Sequence, residues 1–193
     1  MMRVNEIFYS LQGEGFNTGT PAVFIRFSGC NLQCPFCDTD HTAFKEMTEG
    51  EIVEEVSRYK ANLVVVTGGE PALQLTESLV ELLHFLGKTV AVETNGTVEL
   101  PKNVDWITLS PKDAFLGEKA MPILKEADEL KVVYNGVSPK FYEKILAKHR
   151  FLQPCDTGDA EKNKEIIKKT IEFCKEHPEW RLSLQTHKIL NIR

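Results

Sequence analysis

The chain has 193 residues, of which 42% are hydrophobic, 9% aromatic and 26% charged, an ordinary globular composition that excludes disordered and fibrous classes. That length suits one domain around a single core. Lys and Arg number 23 against 28 Asp and Glu, a net charge of −5, so direct nucleic-acid binding through phosphate contacts is not expected.

No stretch approaches the roughly 20 apolar residues that span a bilayer; the longest apolar run, Leu63–Val66, is strand-sized. The opening residues, Met1-Met2-Arg3-Val4-Asn5-Glu6-Ile7-Phe8, lack the apolar segment of a secretory signal. A soluble, cytoplasmic protein without membrane contact is expected. Five cysteines, three of them between positions 30 and 37, suit a metal or redox site in a reducing compartment better than a disulfide scaffold.

In chain order, Val4–Phe8 and Ala22–Phe27 read as strands separated by a Gly-rich connection, Gln12-Gly13-Glu14-Gly15. Ser28–His41 then breaks the pattern with Gly, Asn, Pro, Asp and three Cys, which makes it a loop with a chemical task. Thr48-Glu49-Gly50-Glu51 has the spacing of a capping box, and Ile52, Val53 and Val56 continue it as an amphipathic helix. Asn62–Thr67 predicts a buried strand ending in Gly68-Gly69-Glu70-Pro71, and Thr76–Leu86 a helix stopped by Gly87. Strands are expected at Lys88–Glu93, Trp106–Leu109 and Leu130–Val133. Ser138-Pro139 starts a helix with Pro at its first position, Glu161–His177 is a long helix ended by Pro178, and Leu182–Leu184 is a last short strand.

Apolar strands alternating with amphipathic helices imply a parallel sheet with covering helices, an α/β architecture in one domain over 1–193. A closed eight-unit barrel takes about 250 residues, so a partial, open β/α barrel is expected. Thr67–Glu70, Glu93–Gly96, Ser110–Lys112 and Gln153-Pro154 are read as following strands. They would then gather at the carboxyl ends of the sheet, where such folds bind ligands.

Cys30, Cys34 and Cys37 are spaced C-x3-C-x2-C. Structural zinc wants four closed ligands; Cys155 and His41 are candidates for the fourth, but neither has a zinc spacing. Cys34-Pro35-Phe36-Cys37 alone looks like a dithiol redox motif, which leaves Cys30 unexplained. Three thiolates on a 4Fe-4S cluster leave one iron open to an outside ligand. This spacing, with the aromatic Phe36 before its third cysteine, resembles that of the radical S-adenosylmethionine superfamily. The resemblance implies that the open iron is chelated by S-adenosylmethionine and that one electron cleaves it to a 5′-deoxyadenosyl radical. Gly68-Gly69-Glu70 resembles the superfamily segment whose backbone meets the methionine amino group, although a Gly pair after a strand can also be a tight turn.

Leu11–Gly15, Cys37-Asp38-Thr39, Glu93–Gly96, Ser110-Pro111-Lys112, Gln153–Asp156 and Gln185–Lys188 together resemble the 7-carboxy-7-deazaguanine synthase family, over essentially the whole chain. That implies a lyase converting 6-carboxy-5,6,7,8-tetrahydropterin to 7-carboxy-7-deazaguanine with loss of ammonia, towards queuosine and related deazapurines. Hydrogen abstraction from C6 would precede ring contraction, with S-adenosylmethionine regenerated. The resemblance assigns Leu11, Gln12, Gly13, Glu14, Arg26, Thr67, Glu93 and His187 to the pterin. Arg26 would face its carboxylate, a task suited to a planar fork. Read from the residues alone, Arg26 is equally a structural partner of Glu14, and His187 an ordinary surface histidine.

Phe36, Cys37, Asp38, Gly69, Ser110, Pro111, Lys112, Gln153, Pro154, Cys155 and Asp156 would surround S-adenosylmethionine, with Cys155 a neighbour of the cofactor rather than a cluster ligand. Thr39 would hold Mg2+, a hard cation that takes oxygen ligands. The segment 185–193 would lie near the substrate, with the carboxylate of Arg193 reaching towards it. Cys174, amid Ile167, Ile171 and Phe173, reads as a core residue. The resemblance further implies a homodimer and an electron donor such as flavodoxin or ferredoxin. Two other readings stand beside it: a glycyl-radical activating enzyme acting on a protein partner, and a zinc-binding interaction module.

Overall fold

Among the described residues nine strands form one sheet in the order β3-β1-β2-β4-β5-β6-β7-β8-β9, where β1 is Met2–Leu11, β2 Pro21–Phe27, β3 Lys45–Met47, β4 Leu63–Gly68, β5 Thr89–Thr94, β6 Trp106–Leu109, β7 Glu126–Tyr134, β8 Leu146–Pro154 and β9 Arg181–Leu182. The computed structural model describes residues 1–37, 39–40, 43–136 and 139–193, with backbone alone for 139–141. From β2 to β9 every pairing is parallel. The β1–β2 and β1–β3 pairs are antiparallel, so a hairpin edge precedes the parallel run. The sheet is open, as expected for a chain too short to close eight units.

Residues of a strand alternate between its two faces. In β2 and β4, Val23, Ile25, Val64 and Val66 join one core with Val90 and Val92 of β5. This face is covered by α1 (Glu49–Ser57) and α2 (Glu77–Phe85) through Ile52, Val56, Leu79, Val80 and Leu83. Each such fully buried side chain contributes about 1.5–3 kcal/mol. The capping box at Thr48 forms: its hydroxyl accepts from Glu51 N at 3.2 Å, and Glu51 accepts from Thr48 N at 2.7 Å. A second core places Leu109, Leu130, Val132 and Leu152 with Trp180, against Phe173 and Cys174 of α4 (Ala160–Glu176).

The other face carries different chemistry. Its amino-terminal part is apolar, built from Phe8, Phe24, Val65 and Ala91, and Phe16 stacks there on Trp106 and His149. Further along, the same face presents Arg26, Thr67, Glu93 and Lys131 to a cavity.

Four elements depart from the hydrophobic reading. β8 is rich in polar side chains, but each of three has a partner: Lys148 reaches Asp128 at 2.7 Å, His149 stacks on Phe16, and Arg150 donates to the Tyr142 and Ile145 carbonyls. Pro139–Lys144 forms a 3-10 helix rather than an α-helix, and the expected start at Ser138 lies outside the described residues. Short helices α3 (Asp113–Leu116) and α5 (Thr186–Leu190) follow the sites at Ser110 and Gln185. Among the described residues no helix is long and apolar enough to cross a membrane.

Candidate active site

The carboxyl ends of the strands surround a cavity of about 810 Å3. Cys30, Cys34 and Cys37 line it, on the loop after β2. Cys30 Sγ accepts from Leu32 N at 3.4 Å, and Cys37 N donates to Cys34 O at 3.1 Å, which curls the loop. Burial pushes the Cys30 and Cys34 thiols up; binding iron would release those protons. Among the described residues no three His, Cys, Asp or Glu side chains gather closely enough to hold a single ion. Structural zinc closes four ligands on one ion, whereas a cluster takes one thiolate at each of several irons. Three cavity-facing thiols leave one iron for an external ligand, so the donor set fits a 4Fe-4S cluster. His41, the other zinc candidate, lies outside the described residues.

Gly68 and Gly69 pass directly beneath this loop. Gly69 N donates to Phe27 O at 3.1 Å and Glu70 N to Gly29 O at 3.0 Å. A Cβ on Gly69 would stand 2.0 Å from Gly29 O, so only glycine permits the approach. Glu70 is fully buried and ties this turn to the next strand end, accepting from Thr94 Oγ1 and Asn95 N at 2.7 Å each. Burial pushes its carboxyl up.

Of the residues assigned by resemblance to the cofactor, Phe36, Cys37, Gly69, Ser110, Lys112, Gln153, Pro154 and Asp156 line the cavity. Lys112 donates to Ser110 O at 2.7 Å and to its Oγ at 2.6 Å, and burial pushes its ammonium down to about 8. Phe36 rests on Phe115 of α3 at 4.4 Å. Pro111 and Cys155 are buried and do not line the cavity; Cys155 N donates to Tyr134 O at 3.0 Å, carrying the β7–β8 ladder one residue further. Asp156 accepts from Gly158 N, Asn163 Nδ2 and Lys188 Nζ. Those hydrogen bonds hold its carboxyl at about 2. Asp38 lies outside the described residues, and Thr39 lines the cavity.

Leu11, Gln12, Gly13, Glu14, Arg26, Thr67, Glu93, His187 and Arg193 all line the same cavity. Arg26 is paired, though not with Glu14: its Nε donates to Glu6 Oε1 at 2.9 Å, and Arg193 donates to the other Glu6 oxygen. The reason is the pleat, since β1 pairs Glu6 directly with Arg26. Both guanidinium groups also lie over the Phe8 ring. Glu14 instead takes Lys131 Nζ, together with Gln185 Nε2 at 2.9 Å. Burial opposes the charge on Glu14, yet the Lys131 ammonium and these donors hold its carboxyl at about 2.

The segment 183–193 closes over the cavity. Ser183 Oγ accepts from Gly15 N at 3.0 Å and donates to Gln153 Oε1 at 2.9 Å. Thr186 gives both N–H and hydroxyl to Gly13 O, and Ser10 donates to Arg193 O at 2.5 Å. His187 is therefore held in the wall rather than at the open surface.

Glu6, Lys131 and Glu129 were not read from the sequence. The signal was present: Glu129 and Lys131 stand at alternate positions of β7, between Leu130, Val132 and Val133, and buried charges in a strand need partners.

The Radical SAM superfamily profile matches residues 24–176. A 7-carboxy-7-deazaguanine synthase of Bacteroides thetaiotaomicron is 53% identical over 194 residues, spanning the whole of both chains. The enzyme of that name from Nitratidesulfovibrio vulgaris is 42% identical over 98% of each. The crystal structure of QueE from Escherichia coli superposes with a TM-score of 0.73 at 29% identity, covering 95% of this chain and 93% of that one.

Proposed function

Because the chain belongs to the radical S-adenosylmethionine superfamily and, within it, to the 7-carboxy-7-deazaguanine synthases, we propose a division of its cavity into a cofactor end and a pterin end. The chain is a lyase that converts 6-carboxy-5,6,7,8-tetrahydropterin to 7-carboxy-7-deazaguanine with loss of ammonia. A 4Fe-4S cluster and S-adenosylmethionine are the cofactors of its superfamily.

The observation that carries the division is that three thiols and a glycine turn line one end of the cavity while Arg26, Glu14 and Glu93 line the same space. Cys30, Cys34 and Cys37 hold the cluster. The Gly69 backbone, Ser110, Lys112, Gln153 and Asp156 hold S-adenosylmethionine. When bound, the cluster and S-adenosylmethionine would supply one-electron radical chemistry directed at C6 of the pterin. Everything else is positioning. Arg26 offers the substrate carboxylate the fork that its Nε bond to Glu6 orients. Glu14 and Glu93 accept N–H donors of the aminopyrimidinone, and Gln12 fixes Glu93 through a 3.0 Å bond. Thr67 and His187 complete that wall, and the segment 183–193 excludes water over it. Thr39 with the substrate carboxylate suits Mg2+, which keeps waters and takes few protein oxygens.

The same reading takes in a flavodoxin or ferredoxin as electron donor, a homodimer and a cytoplasmic location. A protein-directed activating enzyme is not favoured, since full-length relatives carry the small-molecule activity in their names.

The test is an anaerobic assay of the reconstituted protein with dithionite, S-adenosylmethionine, Mg2+ and the carboxytetrahydropterin, followed by mass spectrometry. Carboxydeazaguanine without stoichiometric 5′-deoxyadenosine, abolished in Cys30→Ala, is expected. Abortive 5′-deoxyadenosine release with untouched pterin would overturn the substrate.

A further inference from the structure

Lys131 is the charge at the centre of the cavity wall that no assignment above uses. Its side chain is 5% exposed, yet it lines the cavity. Its ammonium meets Glu14 Oε2 and, at 3.3 Å, Glu93 Oε1. The remaining oxygens are also spoken for. Gln185 donates to Glu14 Oε1 at 2.9 Å, and Gln12 donates to Glu93 Oε1 at 3.0 Å while its own Oε1 accepts from Glu14 N at 3.2 Å. Thr67 stands 3.5 Å from Glu93 Oε2. Two carboxylates from separate elements, the loop after β1 and the end of β5, are therefore joined through one cation on β7.

Two like charges at such range repel, and each favours protonation of the other when buried. A protonated carboxyl would present a donor where the ligand also presents donors. An ammonium between them removes both difficulties and fixes the rotamers of both chains at once.

We propose that Lys131 is a positioning residue that holds Glu14 and Glu93 as one rigid pair of acceptors, through which the site selects a ring bearing adjacent N–H and amino donors. This rests on the pterin reading of the cavity. Lys131 acts through the two carboxylates; Lys112, Glu129 and His187 are the other charged or titratable groups facing them.

The test compares wild-type, Lys131→Met and Lys131→Arg chains, with 6-carboxypterin binding followed by its fluorescence and S-adenosylmethionine binding measured separately on the reconstituted protein. Losing charge-assisted bonds to two carboxylates predicts pterin binding weaker by about 10–100-fold in Lys131→Met, with iron content and S-adenosylmethionine binding unchanged. Lys131→Arg, which keeps the cation, recovers most of the loss. Between about pH 8 and 6 the wild-type affinity stays flat relative to Lys131→Met, whose affinity falls as Glu14, buried without its cation, takes up a proton.

Equal pterin affinity and equal pH profiles in wild-type and Lys131→Met would overturn the proposal while leaving the pterin reading intact. Absence of pterin binding to the wild-type chain would overturn both. Should the variants not fold, the wild-type chain still decides: 6-carboxylumazine, with an oxo group in place of the 2-amino donor, is expected to bind at least about 100-fold more weakly than 6-carboxypterin. Equal binding of the two would overturn the proposal.

Discussion

His187 stands where Gly13 has no side chain: a Cβ on Gly13 would lie 2.3 Å from the imidazole Nδ1. Residues 174 positions apart in sequence thus share one space, locked by the two bonds from Thr186 to Gly13 O. Gly13→Ala must push the imidazole and α5 outward. The expected result is a KM for the pterin raised by about tenfold or more with S-adenosylmethionine binding retained. Unchanged KM would show that the contact has no part in substrate binding.

Arg26 carries one bond to Glu6 and has further N–H groups to offer. Arg26→Lys keeps the charge and removes the fork, so kcat/KM for the carboxylated pterin should fall by about 10–100-fold. Binding of a tetrahydropterin lacking the 6-carboxylate should be nearly the same in both chains. A comparable loss for both ligands would show that Arg26 supports the wall rather than reading the carboxylate.

Glu129 is buried and accepts from Phe16 N at 3.0 Å. Burial pushes its carboxyl up to about 7 from its ordinary value of 4.5, against the pull of Lys131. Its folded-state affinity for a proton therefore exceeds that of the unfolded chain. The resulting stability is fully present below about pH 4.5 and is lost as the pH rises through about 7. Glu129→Gln should raise the melting temperature by about 2–4 °C or more at about pH 8, with little change at about pH 5. Thermal unfolding at the two pH values measures this; equal shifts at both would remove the titration as the cause.

Much of the architecture was legible because it rests on local rules. The capping box at Thr48, the helix stop at Gly87 and the strand Trp106–Leu109 depend on residues within a few positions of one another. Glycines that need a close backbone approach, as at Gly69, were visible by motif. A strand before Gln153 is expected, but the hydrophobic pattern gives β8 no bounds because its polar residues find distant partners, Asp128 and Phe16 among them. The ion pair of Arg26 is made with Glu6 rather than with the expected Glu14, because strand register puts Glu6 opposite.

The sequence by itself determined the inventory of donors: three thiols spaced C-x3-C-x2-C, a glycine pair after a strand, and the Arg26, Glu14 and Glu93 that the family resemblance assigns to a carboxylated heterocycle. Which charges neutralise one another was decided only by the tertiary structure. Coulombic pairing depends on distance and on exclusion of water, and neither exists until the folded sheet brings the loop after β1 and the ends of β5 and β7 round one cavity. Lys131 then falls between Glu14 and Glu93, and Glu6 between two arginines.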